Sequence, residues 1–192
     1  MGTLILYHGV VKLSMSISDQ LKFNGYVPMI EDNELFAIRS ADIPHVSWDE
    51  ILNILNDDIL TDNVTPKTRM NEYGFRVVAP TRIKDIRRVA DDLESMFEPN
   101  DRGIDHELYI SLTTQKEAYG GLIHKDEENV LFWGLRGISN WTIFDEDDNA
   151  IKSIDIYPGD IIYCPAGVKH RVVAIKPRAG VSFSLGKLKE QF

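Results

Sequence analysis

A chain of 192 residues can bury one sizeable core but is thin for two independent domains, because a domain of this size hides only roughly 70% of the surface its unfolded chain would expose. Its 43% apolar and 27% charged residues are those of an ordinary globular protein, and a net charge of -9 repels phosphate backbones, so nucleic acid is excluded as a main partner in favour of a basic polypeptide or a small molecule. The single cysteine, Cys164, rules out an intramolecular disulfide and suits a reducing compartment. The N-terminal run from Met1 to His8 has no basic leader, and no apolar run approaches the roughly 20 residues of a membrane span. A cytoplasmic protein without membrane contact is expected.

Two textures divide the chain. Residues 1–104 mix short strands and helices and are expected to pack on a barrel formed by residues 105–192, the whole making one structural domain. Leu35 to Arg39 reads as a short strand. A helix follows from Ser47, where Ser47 and Glu50 have the spacing of a capping box and Trp48, Ile51, Leu52 and Leu55 mark a buried face. A second helix is expected over residues 81–97, with Ile83, Ile86, Val89, Leu93 and Phe97 as its apolar stripe. Its Arg82, Lys84, Arg87 and Arg88 form a basic cluster that reads as a solvated face, and residues 99–103 then break the chain.

From residue 105 onward nearly everything reads as strand and turn. Strand patterns cover Glu107 to Thr113, Gly120 to Asp126, Asn129 to Gly137, Asn140 to Phe144, Ile151 to Ile156, Asp160 to Cys164, His170 to Ile175 and Ala179 to Gly186. Strands of similar length separated by Gly, Pro, Asp and Asn turns signal an all-β sandwich or barrel. The acidic run at residues 145–149 falls between two of them and reads as a solvated hairpin loop.

The chemistry lies in two segments. His124 and Asp126 are two apart, so on a strand both face one side and can converge on one ion, with Lys125 facing away. The second segment runs from Tyr157 to His170 and fits the pattern G-x5-P-x-G-x2-H at Gly159, Pro165, Gly167 and His170. A turn, a strand, a second turn and then a strand opening with histidine would aim His170 inward. His170 lies 44 residues after Asp126, completing a set of two histidines and one carboxylate. Such a facial triad leaves open positions on an octahedral metal and points to non-haem Fe(II), with zinc or manganese remaining open. His8, His45 and His106 lack partners at ligand spacing and read as structural or surface residues, while Cys164 reads as a buried small hydrophobe.

The stretch Leu108-Tyr-Ile-Ser, His124-Lys-Asp, Gly134-Leu-Arg-Gly, Trp141, Pro158 to His170 and Val181 to Gly186 resembles the JmjC-type, cupin-fold branch of Fe(II)- and 2-oxoglutarate-dependent oxygenases. Within that branch it is most similar to bacterial ribosomal-protein hydroxylases, over about 80 residues. The resemblance implies a mainly β protein with flanking helices (α+β) built on a double-stranded β-helix, or jelly-roll, barrel. It also implies oxidative decarboxylation of 2-oxoglutarate with O2 and hydroxylation or demethylation of a substrate C–H. His124, Asp126 and His170 would be the metal ligands, with no further catalytic residue.

One position departs from the family. Where a Lys or Arg usually pairs with the distal carboxylate of 2-oxoglutarate, this chain has Ser139, which can offer one hydrogen bond but no charge-assisted pair. Arg178, eight residues after His170, is the expected replacement, and Tyr109, Ser182 and Ser184 are further candidates for contact with the cosubstrate. Trp133 and Trp141 read as core aromatics. A metal-binding cupin acting as a sensor or interaction module, and a non-oxidative cupin isomerase, are the alternatives to an oxygenase.

Overall fold

The computed structural model describes residues 4–7, 10–13, 15–41, 45–53, 68–71, 74–78, 84–98, 104–112 and 122–190. His8, Leu55, Arg82, Ile83, the break at 99–103, Thr113 and the Gly120-Gly121 pair fall outside them, so the expectations placed on those residues have no structural counterpart here.

A small hairpin, β1 (Leu4–Tyr7) with β2 (Val10–Leu13), comes first, followed by α1 (Ile17–Phe23) and α2 (Val27–Glu31). Ser16 starts α1 by accepting the Asp19 amide at 3.1 Å, and Asp92 ties this helix down by accepting both the amide and the hydroxyl of Ser18 at 2.8 and 2.7 Å. Next come β3 (Phe36–Ile38), helix α3 (residues 48–53), β4 (Thr68–Asn71), β5 (Gly74–Val78) and α4 (Lys84–Met96). The capping box at α3 forms as its spacing predicts: Ser47 Oγ accepts the Glu50 amide at 3.2 Å, and Glu50 Oε2 accepts the Ser47 amide at 2.7 Å. Ile51 is buried, whereas Leu52 is 42% exposed and does not belong to the buried face expected of it. On α4, Ile86, Val89 and Leu93 are buried and Lys84, Arg87 and Arg88 are exposed, which leaves those three as a solvated face.

The remaining strands are β6 (Asp105–Ser111), β7 (Asn129–Phe144), β8 (Ala150–Ile156), β9 (Ile161–Cys164) and β10 (His170–Leu185). Among the described residues eight strands form one sheet in the order β3-β9-β7-β10-β6-β5-β4, with β8 paired to β7 off that path, and the sheet does not close. Three of its strands, β3, β4 and β5, come from the N-terminal region.

The two patterns read as separate strands at 129–137 and 140–144 are one 16-residue strand, and so are those at 170–175 and 179–186. Both long strands bend at the same level. The register of β10 against β7 slips between Ala174 and Lys176, again before Ala179 and again before Gly180, opposite Gly137. Gly137 has φ 66°, and a Cβ there would collide with the Pro177 carbonyl. Beyond this bend the partners change. The first part of β7 pairs with β9 and its last part with β8, as a double-stranded β-helix requires.

Strand alternation then divides the interior in two. Leu131, Trp133 and Leu135 of β7, Ile161 and Tyr163 of β9, and Val181 and Phe183 of β10 face outward into a core shared with α1, α2, α3 and α4. Val130, Phe132, Trp141, Ile162, Cys164 and Val172 face into the barrel. Replacing Gly137 by alanine is expected to cost about 1–3 kcal/mol from the left-handed backbone alone, and more from the clash. Urea unfolding of Gly137→Ala measures it, with Gly167→Ala, whose added Cβ meets open space at φ 78°, as the comparison without a clash.

Candidate metal centre

The turn chemistry read from the second segment is what positions His170. Gly159 and Gly167 have φ 88° and 78°, values that suit glycine, so both turns close without strain. Asp160, 3% exposed, accepts the Tyr157 amide at 3.0 Å and the Ser40 amide at 2.9 Å, and its Oδ2 meets Arg39 NH1 at 2.6 Å. That staple fixes the start of β9, and the turn at 165–167 then returns the chain so that β10 opens with His170 facing into the barrel.

His124 and Asp126 arrive differently from the strand expected of them. Among residues 122–128 only His124 makes a bridge, exchanging backbone hydrogen bonds with His170 at 2.9 Å in both directions. Asp126 is held through its carbonyl, which accepts the Gly167 amide at 2.9 Å. The convergence expected of the pair still occurs, because the bridge brings both next to the opening of β10. His124 Nε2 lies 3.6 Å from Asp126 Oδ1, and His170 Nε2 lies 3.5 Å from Asp126 Oδ2. One ligand atom from each of the three residues falls within 4.8 Å of the other two.

The tautomers are set for ligation. Nδ1 of His124 donates to the Leu122 carbonyl and Nδ1 of His170 to the Val168 carbonyl, both at 3.0 Å, which leaves both Nε2 atoms turned to Asp126. Burial pushes the pKa of His170 below the usual histidine range, against the Val168 carbonyl and the Asp126 carboxylate, which raise it, and so favours the neutral imidazole that binds metal. The Trp141 indole stacks on the His170 ring at 4.9 Å and 14°.

Lys125, expected to face away, lines the same cavity as the triad and has a partner of its own. Its Nζ meets both carboxylate oxygens of Glu146 at 2.8 and 3.0 Å, while Lys169 Nζ meets Asp148 Oδ1 at 2.6 Å and the Glu146 carbonyl at 3.1 Å. The acidic run at 145–149 is the hairpin between β7 and β8, and its charges reach Lys125, between the first two ligand candidates, and Lys169, before the third. Lys125 holds the Glu146 carboxyl below its usual range, and Asp148 raises the Lys169 amine.

A cavity of about 480 Å³ contains the triad. Tyr109, Arg178, Ser182 and Ser184 line it, as do Val130, Phe132, Trp141 and Val172. Arg178 is 2% exposed, and burial lowers its guanidinium pKa to about 10, still charged at neutral pH. Its NH1 donates to Ser139 Oγ at 3.0 Å. Ser139 is not a lining residue, so the serine stands behind the arginine and holds it, rather than facing the cavity itself. Tyr109 donates to Glu107 at 2.5 Å, and Asp105, Glu107, Glu127 and Glu128 also line the space. The sequence reading missed Phe132, Val172 and the acidic residues of β6. Alternation along β6 and β10 carries a signal for them, since Asp105, Glu107 and Tyr109 are half-buried between buried neighbours.

Of the other polar candidates, His45 packs against Arg136 near the surface and His106 is buried with Nδ1 on the Ile104 carbonyl. Cys164 is 2% exposed and burial pushes its thiol pKa up to about 12.

No family model matches the sequence, and no curated protein matches it. Solved structures do. YcfD, a ribosomal oxygenase from Escherichia coli, superposes with TM-score 0.58 at 15% identity over 85% of this chain and 52% of its own, and a second YcfD structure gives 0.58 at 14% over 85% and 53%. YcfD in complex with cobalt and 2-oxoglutarate gives 0.51 at 14% over 86% and 52%. The chain thus spans about half the length of these YcfD chains. At this identity the likeness is one of fold, and the cupin-type jelly roll expected from the sequence is the fold of this chain.

Two outcomes follow. Lys125→Met is expected to weaken metal binding about 2–5-fold at low salt, with the difference closing near 1 M salt, because exposed ion pairs are worth little and are screened; calorimetric titration at two salt concentrations reads it. Cys164, protonated well above pH 8, should resist a thiol reagent at pH 8 in the native protein and react at once in denaturant.

Proposed function

We propose that this protein is an Fe(II)- and 2-oxoglutarate-dependent oxygenase that hydroxylates a polypeptide side chain or a small molecule. The observation that carries the reading is the placement of a His-Asp-His ligand set and a buried, serine-anchored guanidinium in the walls of one cavity. Two imidazole nitrogens and a carboxylate, with both Nδ1 atoms engaged by backbone carbonyls, fit a divalent metal of the Fe(II) type. Bound there, Fe(II) supplies the activation of O2, coupled to decarboxylation of 2-oxoglutarate to succinate.

The protein's own residues would then do three things. His124, Asp126 and His170 hold the metal on one side and leave its other positions to ligands from the cavity. Arg178 receives the distal carboxylate of the cosubstrate through its planar fork, with Ser139 fixing the fork and Tyr109, Ser182 and Ser184 within the same lining. Val130, Phe132 and Val172 exclude water from the space between. The fold of YcfD, solved with cobalt and 2-oxoglutarate, supports this assignment.

The acidic residues bear on the substrate. Asp105 and Glu107 within the cavity and the exposed Glu127 and Glu128 beside it make a field that attracts a cation, in a chain of net charge -9. A basic polypeptide suits that field, and YcfD is itself a ribosomal oxygenase.

Purified protein supplied with Fe(II), O2 and 2-oxoglutarate is expected to form succinate, followed by NMR, and Asp126→Ala is expected to abolish it. Arg178→Met should raise the KM for 2-oxoglutarate at least tenfold, since it removes a charge-assisted pair. A protein that binds Fe(II) yet binds no 2-oxoglutarate at millimolar concentration would instead be a metal-binding module.

A further inference from the structure

We infer that Glu107 sets the affinity of the cavity for its cosubstrate: its carboxylate holds the one proton that the Tyr109 phenol can donate, so a dicarboxylate bound at Arg178 has to compete with the protein's own carboxylate for Tyr109. The inference rests on the reading above, that the cavity takes 2-oxoglutarate with its distal carboxylate on Arg178.

Strand alternation brings both side chains to the same place. On β6, His106, Leu108 and Ile110 are buried, and the last two join the core shared with the helices. Asp105, Glu107 and Tyr109 alternate with them, are half-buried and line the cavity. Pairing with β10 sets Glu107 opposite Ser182 and Tyr109 opposite Gly180, two residues after Arg178. The phenol oxygen also acts on the guanidinium. Burial lowers the Arg178 pKa to about 10, and Tyr109 acts in the opposite direction, which puts that oxygen on the arginine's side of the cavity.

Donor accounting then decides what Tyr109 can do. A tyrosine hydroxyl has a single proton to give. Here it goes to Glu107 Oε2 at 2.5 Å, at the short end of the range for a hydroxyl on a carboxylate. What Tyr109 turns to a second carboxylate is therefore a lone pair, and Glu107 adds a like charge beside it. Tyr109, expected from the sequence as a contact for the cosubstrate, has that role only to the extent that Glu107 releases it. Glu107→Gln keeps the shape of the side chain and leaves a neutral, weaker acceptor.

Calorimetric titration of zinc-loaded protein with 2-oxoglutarate tests this. Glu107→Gln is expected to bind about 3–10-fold more tightly than the wild type, because the competing acceptor is roughly half as strong and the like charge is gone. A double-mutant cycle with Tyr109→Phe separates these two effects. Removing the phenol should cost about threefold more affinity in the Glu107→Gln background than in the wild type, since only there is its proton available to the ligand. Glu107→Gln binding no tighter than the wild type, or a Tyr109→Phe effect equal in both backgrounds, overturns the inference and leaves the oxygenase reading standing. If neither the wild type nor Glu107→Gln binds 2-oxoglutarate at millimolar concentration, the two fall together.

Discussion

Two 16-residue strands, β7 and β10, run antiparallel and bend together where Gly137 passes beneath the Pro177 carbonyl, and the placement of every group at the candidate site depends on that shared bend. Before the bend β7 lies between β9 and β10; after it, β7 lies between β8 and β10. His170 begins β10 before the bend and Arg178 lies within it, so one strand carries both a metal-ligand candidate and the buried cation. Ser139, two residues beyond Gly137, meets Arg178 because the bulge at residues 174–180 swings the arginine inward.

The same strands separate apolar from polar chemistry by alternation. Their outward residues join the helices in a continuous apolar core, and this burial, at about 1.5–3 kcal/mol for each large side chain, is what stabilises the sheet. That support permits an inward face with features that cost stability: a buried guanidinium, an unpartnered indole N–H and a histidine whose charged form burial disfavours. A rigid scaffold with a polar interior is the arrangement expected where side chains must be held for a ligand rather than for folding.

The segment at 122–128 is the least regular part of the site. It has one bridge, one carbonyl hydrogen bond from Gly167 and the Lys125–Glu146 pair, and each of these leads to the β7–β8 hairpin or to the opening of β10. Two of the three ligand candidates are therefore placed by contacts with distant parts of the chain. A strand reading of His124-Lys125-Asp126 reaches the right convergence through a local geometry that only His124 adopts.

Short-range rules were enough for a large part of this protein. The turns at Gly159 and Gly167, the histidine that follows them, the capping box at Ser47 and the alternation of β6 to β10 are all properties of a few neighbouring residues, and each could be read in the sequence. Tertiary structure decided what depends on strands far apart in sequence. It joined the paired segments of β7 and β10 into single bent strands, left Leu52 exposed, and set Ser139 behind Arg178 instead of in the cavity. It also turned an acidic loop into a partner for two lysines beside the ligand candidates and brought Trp141 against His170. The physical reason is register: a side chain's type and its period along the strand are written locally, but which residue it meets across the sheet is fixed only when bulges and bends set the pairing.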